Sequence, residues 1–130
     1  MDKTAIKDLV NKALACAITF PEILATLQKE SVESYHVDFP RNEYRYYARN
    51  GESLVMDVAL VHDGVVREFY ADKIESINKR VQAGKAWYPD FVKEGAAAGC
   101  AYYIVYIYGR KVRYFGRDGD EYIQHLPGSR

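Results

Sequence analysis

The 130-residue sequence has no excess of charge, because 18 Lys and Arg stand against 18 Asp and Glu, with three His beside them. That balance removes the sequence-independent attraction to phosphate on which nucleic-acid binders draw, and no strong nucleic-acid signal remains. Apolar runs are short as well. None approaches the roughly 18 residues of a membrane-spanning helix, and Asp2, Lys3, Lys7 and Asp8 break up the stretch where a signal-peptide core would sit. The expected setting is the cytoplasm, with no membrane partner. Cysteine is scarce, at two, and no C-x-x-C spacing occurs, which excludes a disulfide framework and a thiolate metal site. Cys16 and Cys100 are expected as buried free thiols. Gly95, Gly99, Gly109 and Gly116 form neither a G-x-G-x-x-G fingerprint nor a phosphate loop. A serine-centred elbow, an H-E-x-x-H pair and a paired-carboxylate signature are all missing. No cofactor, no metal and no ordinary nucleotide hydrolysis are expected.

What is present is an ordinary globular composition, 48% hydrophobic and 28% charged, at the length of one domain. Ile6, Leu9, Val10, Ala13 and Ala17 recur at helical spacing and predict a helix over about 4 to 16. Thr19-Phe-Pro-Glu22 supplies a hydroxyl cap, a first-turn proline and a carboxylate three residues on, which starts a second helix running to Lys29. From Val32 to Phe39 apolar and polar residues alternate as a half-buried strand requires. Tyr44 to Arg49 and Leu54 to Val61 follow as strands around the Asn50-Gly51 turn, and Val65 to Tyr70 is open between strand and loop. The second half repeats the order. Asp72 with Glu75 predicts a cap for a helix bearing Ile74, Ile77 and Val81 and ended by Gly84. Trp87-Tyr-Pro-Asp90 then starts another helix, and Tyr102 to Tyr108, Val112 to Phe115 and Glu121 to Leu126 read as strands.

Setting residue n against n+68 without a gap places Phe20-Pro-Glu-Ile23 on Tyr88-Pro-Asp-Phe91. It also places Arg45-Tyr-Tyr-Ala-Arg-Asn-Gly-Glu52 on Arg113-Tyr-Phe-Gly-Arg-Asp-Gly-Asp120. Caps, first-turn prolines, alternation and turn glycines all recur at this one offset, which is the argument for an internal repeat of 1–62 and 69–130. The expected fold is α+β: a single domain over 1–130 made of a duplicated α-α-β-β-β unit with pseudo-twofold symmetry, its sheet mainly antiparallel and its helices on one face. A joint between similar halves is lined twice by equivalent positions, and function is expected there.

Phe20-Pro-Glu-Ile23, Tyr35-His-Val-Asp38, Tyr46-Tyr47 with Gly51-Glu52, Gln82-Ala-Gly84, Tyr88, Phe91 and Ala98-Gly99 resemble the YbcV-like family of enterobacterial and prophage proteins, sometimes labelled phage envelope protein. The likeness spans nearly the whole chain. It implies an accessory or prophage-type protein and carries over no site, cofactor or activity. Ser31 stands where members usually show a glycine, and the envelope label finds no apolar span here to support it.

Three functions fit these residues. Alternation puts Arg45, Tyr47 and Arg49 on one face, and Lys111, Arg113, Phe115 and Arg117 on one face of the second repeat. Guanidinium forks and flat rings in such rows suit a small anionic, nucleotide-like ligand held between the repeats by a non-enzymatic protein. The plainer account pairs Arg49 with Glu52 and Arg117 with Asp120 across turns. Secondly, Tyr102, Tyr106 and Tyr108 offer a tyrosine-rich sheet face for a host protein or for a homodimer, as an interaction or inhibitor module. Thirdly, His36 and Asp38 project to the same strand face, placed either as a base-and-orienter pair for a hydrolase or lyase or as two ligands of a metal that lacks a third.

Overall fold

Four helices and six strands follow one another in the computed structural model, which describes residues 1–127. Helix α1 (Lys3–Leu14) starts beneath the Asp2 carboxylate, which accepts from the Thr4 and Ala5 N–H groups, and it buries Ile6, Leu9, Val10 and Ala13. Helix α2 (Phe20–Lys29) has the expected capping box. The Thr19 hydroxyl accepts from the Glu22 N–H while the Glu22 carboxylate accepts from the Thr19 N–H. Helix α3 (Ala71–Gln82) begins two residues earlier than the Asp72–Glu75 pair predicts. Its cap is Tyr70, with no side-chain bond, and Asp72 serves only as a first-turn carboxylate. At α4 (Tyr88–Ala97) the Asp90 carboxylate accepts from the Trp87 N–H at 2.8 Å.

The strands are β1 (Val32–Asp38), β2 (Glu43–Ala48), β3 (Ser53–Asp57), β4 (Tyr102–Tyr106), β5 (Lys111–Phe115) and β6 (Glu121–His125). They form one antiparallel sheet in the order β3-β2-β1-β4-β5-β6, so β1 and β4 lie side by side at its centre. Period-two alternation sorts the side chains cleanly. Tyr35, Val37, Tyr44, Tyr46, Tyr103, Val105, Val112 and Tyr114 turn to the helix side and are buried. Their strand neighbours His36, Arg45, Ile104 and Arg113 turn to the other, open side and remain partly exposed. The chain is an α+β domain with its core between the helical layer and one face of the sheet.

Two segments depart from the sequence reading. The apolar run from Leu54 continues to Val61, yet the strand stops at Asp57. Val58 and Leu60 leave the ladder and are buried in the core, the Val58 N–H bonding to the Asn42 carbonyl at 2.8 Å. Residues 65 to 70 form a loop, which runs along the end of α4 through Val66 N–H to Ala96 O (3.1 Å) and Tyr70 N–H to Ala98 O (2.8 Å). Gly99 permits that approach. Its φ is +90°, and a Cβ there would sit 1.9 Å from the Glu68 carbonyl oxygen. Of the two cysteines, Cys100 is buried as expected. Cys16 is exposed, because it takes up the left-handed position that ends α1, at φ +57°.

Candidate functional site: a helix–sheet cavity and the open face of the sheet

Between the helices and the sheet lies a cavity of about 120 Å³. An apolar cavity of about that size in another protein admits benzene. Its floor is the tyrosine row Tyr35, Tyr44, Tyr46, Tyr103 and Tyr114, and its walls include Ala13 of α1, Ile23 of α2, Val81 of α3 and Phe91 of α4. Thr19, Gln82, Gly84 and Trp87 line it and are exposed, which marks where it reaches the surface.

No Asp, Glu, His, Lys, Arg or Cys lines this space. The tyrosines are the only groups that can ionise, and burial holds them neutral. Burial is the first cause at every one of them and pushes Tyr88 up to about 12 even though bonds to Tyr103 and Tyr44 favour its phenolate. Tyr44 and Tyr103 are raised well above the ordinary phenol value by burial and then by the neighbouring Tyr88. Tyr44, Tyr88 and Tyr103 are linked hydroxyl to hydroxyl, with Tyr88 and Tyr103 2.8 Å apart. At the other end the Tyr114 hydroxyl lies 3.2 Å from Asn78 Oδ1 and 3.0 Å from Gln124 Oε1. A charged ligand would meet no countercharge inside and would lose its hydration, so the cavity suits a neutral molecule. Nothing in its lining is poised to take or give a proton near neutral pH.

The residues singled out from the sequence lie elsewhere. Arg45, Tyr47, Lys111, Arg113 and Phe115, with Tyr102 and Tyr106, share the open face of the sheet. Arg49 and Arg117 lie beyond the ends of β2 and β5, and Tyr108 beyond β4. Arg45 and Arg113 are three strand spacings apart, roughly 14 Å, with His36 and Ile104 between them. Each faces a carboxylate: Arg45 Nε is 2.8 Å from Glu43, and Arg113 Nε is 3.6 Å from Glu121. An anion on this face would compete with both. The expected cross-turn pairs are replaced by others. Arg49 stacks 4.0 Å over the Tyr108 ring and approaches Glu33, while Arg117 donates to the Val65 carbonyl.

His36 and Asp38 also share the open face, at a second hollow of about 250 Å³ whose lining includes Glu43, Arg45, Tyr102 and Phe115. They are not bonded to one another. The Asp38 carboxylate accepts from the Arg41 N–H at 2.9 Å, and the His36 ring lies 5.1 Å from that of Tyr47. Burial first, and then the Arg45 guanidinium, lower the His36 pKa.

Sequence reasoning missed Asn78, Gln82, Gln124 and Tyr88. One signal for Asn78 was in plain view. It stands four residues after Ile74 and three before Val81, within the apolar stripe of α3.

The fold and cavity define a class, an α+β domain with an uncharged hollow between its helices and its sheet. Residues 5–124 match the model of the family described as protein of unknown function (DUF1398), and the chain belongs to that family. The comparison with curated proteins found no match.

Proposed function

We propose that this protein is a non-enzymatic binding module that takes a small neutral, aromatic or apolar molecule into the helix–sheet cavity. The observation that carries this reading is the lining, which is rich in rings and hydroxyls and contains no group charged near neutral pH. The chain has a single tryptophan, and Trp87 stands at the cavity mouth, so its emission reports directly on occupancy. Titration with toluene is expected to give a saturable change in Trp87 emission. A strictly linear response, or none, would remove the reading.

We also infer that the two halves are copies of one α-α-β-β-β unit related by a pseudo-twofold axis. Supporting this, α1 and α3, α2 and α4, β2 and β5, and β3 and β6 each begin 68 residues apart. The β1–β2 and β2–β3 registers recur in β4–β5 and β5–β6 at that same offset, for example Arg45 opposite Val55 and Arg113 opposite Ile123. His36 pairs with Ile104, its own equivalent, where such an axis would pass. Left-handed residues recur likewise: Cys16 with Gly84, Ser31 with Gly99, Asn42 with Arg110, and Gly51 with Gly119. The cavity lies at this joint, since it is lined by both members of pairs such as Val10 and Asn78, Ala13 and Val81, and Tyr46 and Tyr114. The resemblance in the Phe20-Pro and Tyr35-His runs supports a YbcV-like, prophage-type accessory protein. Two unpaired thiols fit the reducing cytoplasm.

A second reading, docking through the open sheet face, is favoured by its charge pattern. The first-half strands present Asp38, Glu43 and Asp57 against Arg45, whereas the second-half strands present Lys111 and Arg113 against Glu121. Two copies packed face to face about an axis along the strands would set each acidic half on a basic one. Sedimentation at rising concentration tests this: a salt-sensitive dimer is expected, and a monomer at high concentration would end it.

A further inference from the structure

Asn78 is the one buried side chain, apart from the tyrosines, that carries polar atoms among the described residues, at 8% exposure. Its Oδ1 accepts from the Tyr114 hydroxyl, and its Nδ2 has no partner within the protein. Such a buried donor is costly to leave unpaired. The Tyr114 hydroxyl has a single proton and two carboxamide oxygens in reach. Gln124 is only half-buried and can turn its own NH2 toward that hydroxyl; with the Asn78 carboxamide oriented as it stands, the Tyr114 proton then goes to Asn78 Oδ1 and Nδ2 is the free end.

The fold does not require an amide here. At the equivalent place in α1 stands Val10, which is buried and lines the same cavity. Gln82 and Gln124 likewise stand where the first half has Leu14 and Met56. Carboxamides are thus gathered on the second-half side of the hollow, and one of them, Asn78, carries an unpaired donor.

We propose that Asn78 sets the specificity of the cavity by donating from Nδ2 to an acceptor atom, a carbonyl oxygen or an unprotonated ring nitrogen, on a small neutral aromatic ligand. This rests on the cavity being the binding site and adds the chemical class of its occupant. A site built to donate to an acceptor discriminates against the analogue that lacks one, because the donor is then left unpaired.

Acetophenone and α-methylstyrene test this, since they differ by exchange of C=O for C=CH2. The wild-type protein is expected to bind acetophenone at least about tenfold more tightly, equivalent to about 1.4 kcal/mol. In Asn78→Leu the preference is expected to vanish while α-methylstyrene still binds. In the wild-type protein, one Asn78 side-chain amide proton is expected to shift downfield with acetophenone and not with α-methylstyrene, a readout that stands even if the variant does not fold. Equal binding of the two probes, or a preference that survives Asn78→Leu, would overturn the role of Asn78 and leave the cavity reading intact. Binding of neither would overturn both.

Discussion

Replacing Ala13 with leucine separates a cavity from a filled core. Ala13 is buried on α1 and lines the hollow opposite Val81, its equivalent on α3, so an isobutyl group there points into open space. Leaving about 120 Å³ empty costs at most about 3 kcal/mol at roughly 24 cal/mol per Å³. Three added carbons recover about 2.4 kcal/mol at about 0.8 kcal/mol each. Ordering the leucine side chain returns about 0.5–1 kcal/mol of that. The net expectation is a stabilisation of about 1.5 kcal/mol, or roughly 5 °C in Tm for a domain of this size. Urea denaturation and calorimetry measure it. The same variant is expected to lose toluene and acetophenone binding, because the added group occupies their place. A destabilisation of about 1–3 kcal/mol, the ordinary result of overpacking, would refute the argument that the space is real.

Other parts of the molecule yield their own tests. Gly99→Ala forces a Cβ onto the Glu68 carbonyl as well as into left-handed strain, and is expected to cost at least about 3 kcal/mol in denaturant titrations. Gly51→Ala, with φ +91° and open space around it, is expected to cost only about 1–2 kcal/mol. The folded His36 pKa lies below its ordinary 6.5, so the unfolded chain takes up the proton first; stability from this group is full above pH 6.5 and declines as pH falls toward the folded value. Arg45→Ala removes one of the two causes, and the His36 ring titrated by NMR is expected to move back toward 6.5, whereas an unchanged midpoint would contradict the contact. A thiol reagent is expected to modify Cys16 in the native protein and Cys100 only on unfolding, since burial pushes the Cys100 thiol up to about 12. Two fast thiols would contradict that assignment.

Local chemistry made much of the fold legible. The Thr19 box and the Pro21 turn fix the start of α2, and the alternation through Tyr35, Val37 and Phe39 fixes β1, because caps and period two act within a few residues. The end of β3 was not legible. Val58 and Leu60 continue the apolar run, and only the core decides that they leave the sheet. The same limit hid the cavity. Alternation correctly groups Arg45 with Tyr47 and Arg113 with Phe115, but it cannot tell which sheet face the helices cover. The tyrosines that form the cavity read equally well as cross-strand packing. Asn78 is a local inconsistency, a carboxamide in an apolar stripe, and such breaks in pattern tend to mark function.

Amide chemical shifts followed through a titration with acetophenone test the cavity most directly. Saturable changes confined to Asn78, Trp87, Tyr88, Phe91 and their neighbours, with Arg45 and Arg113 silent, are the predicted result. Shifts that concentrate on the arginines of the open face, or that never saturate, would contradict it.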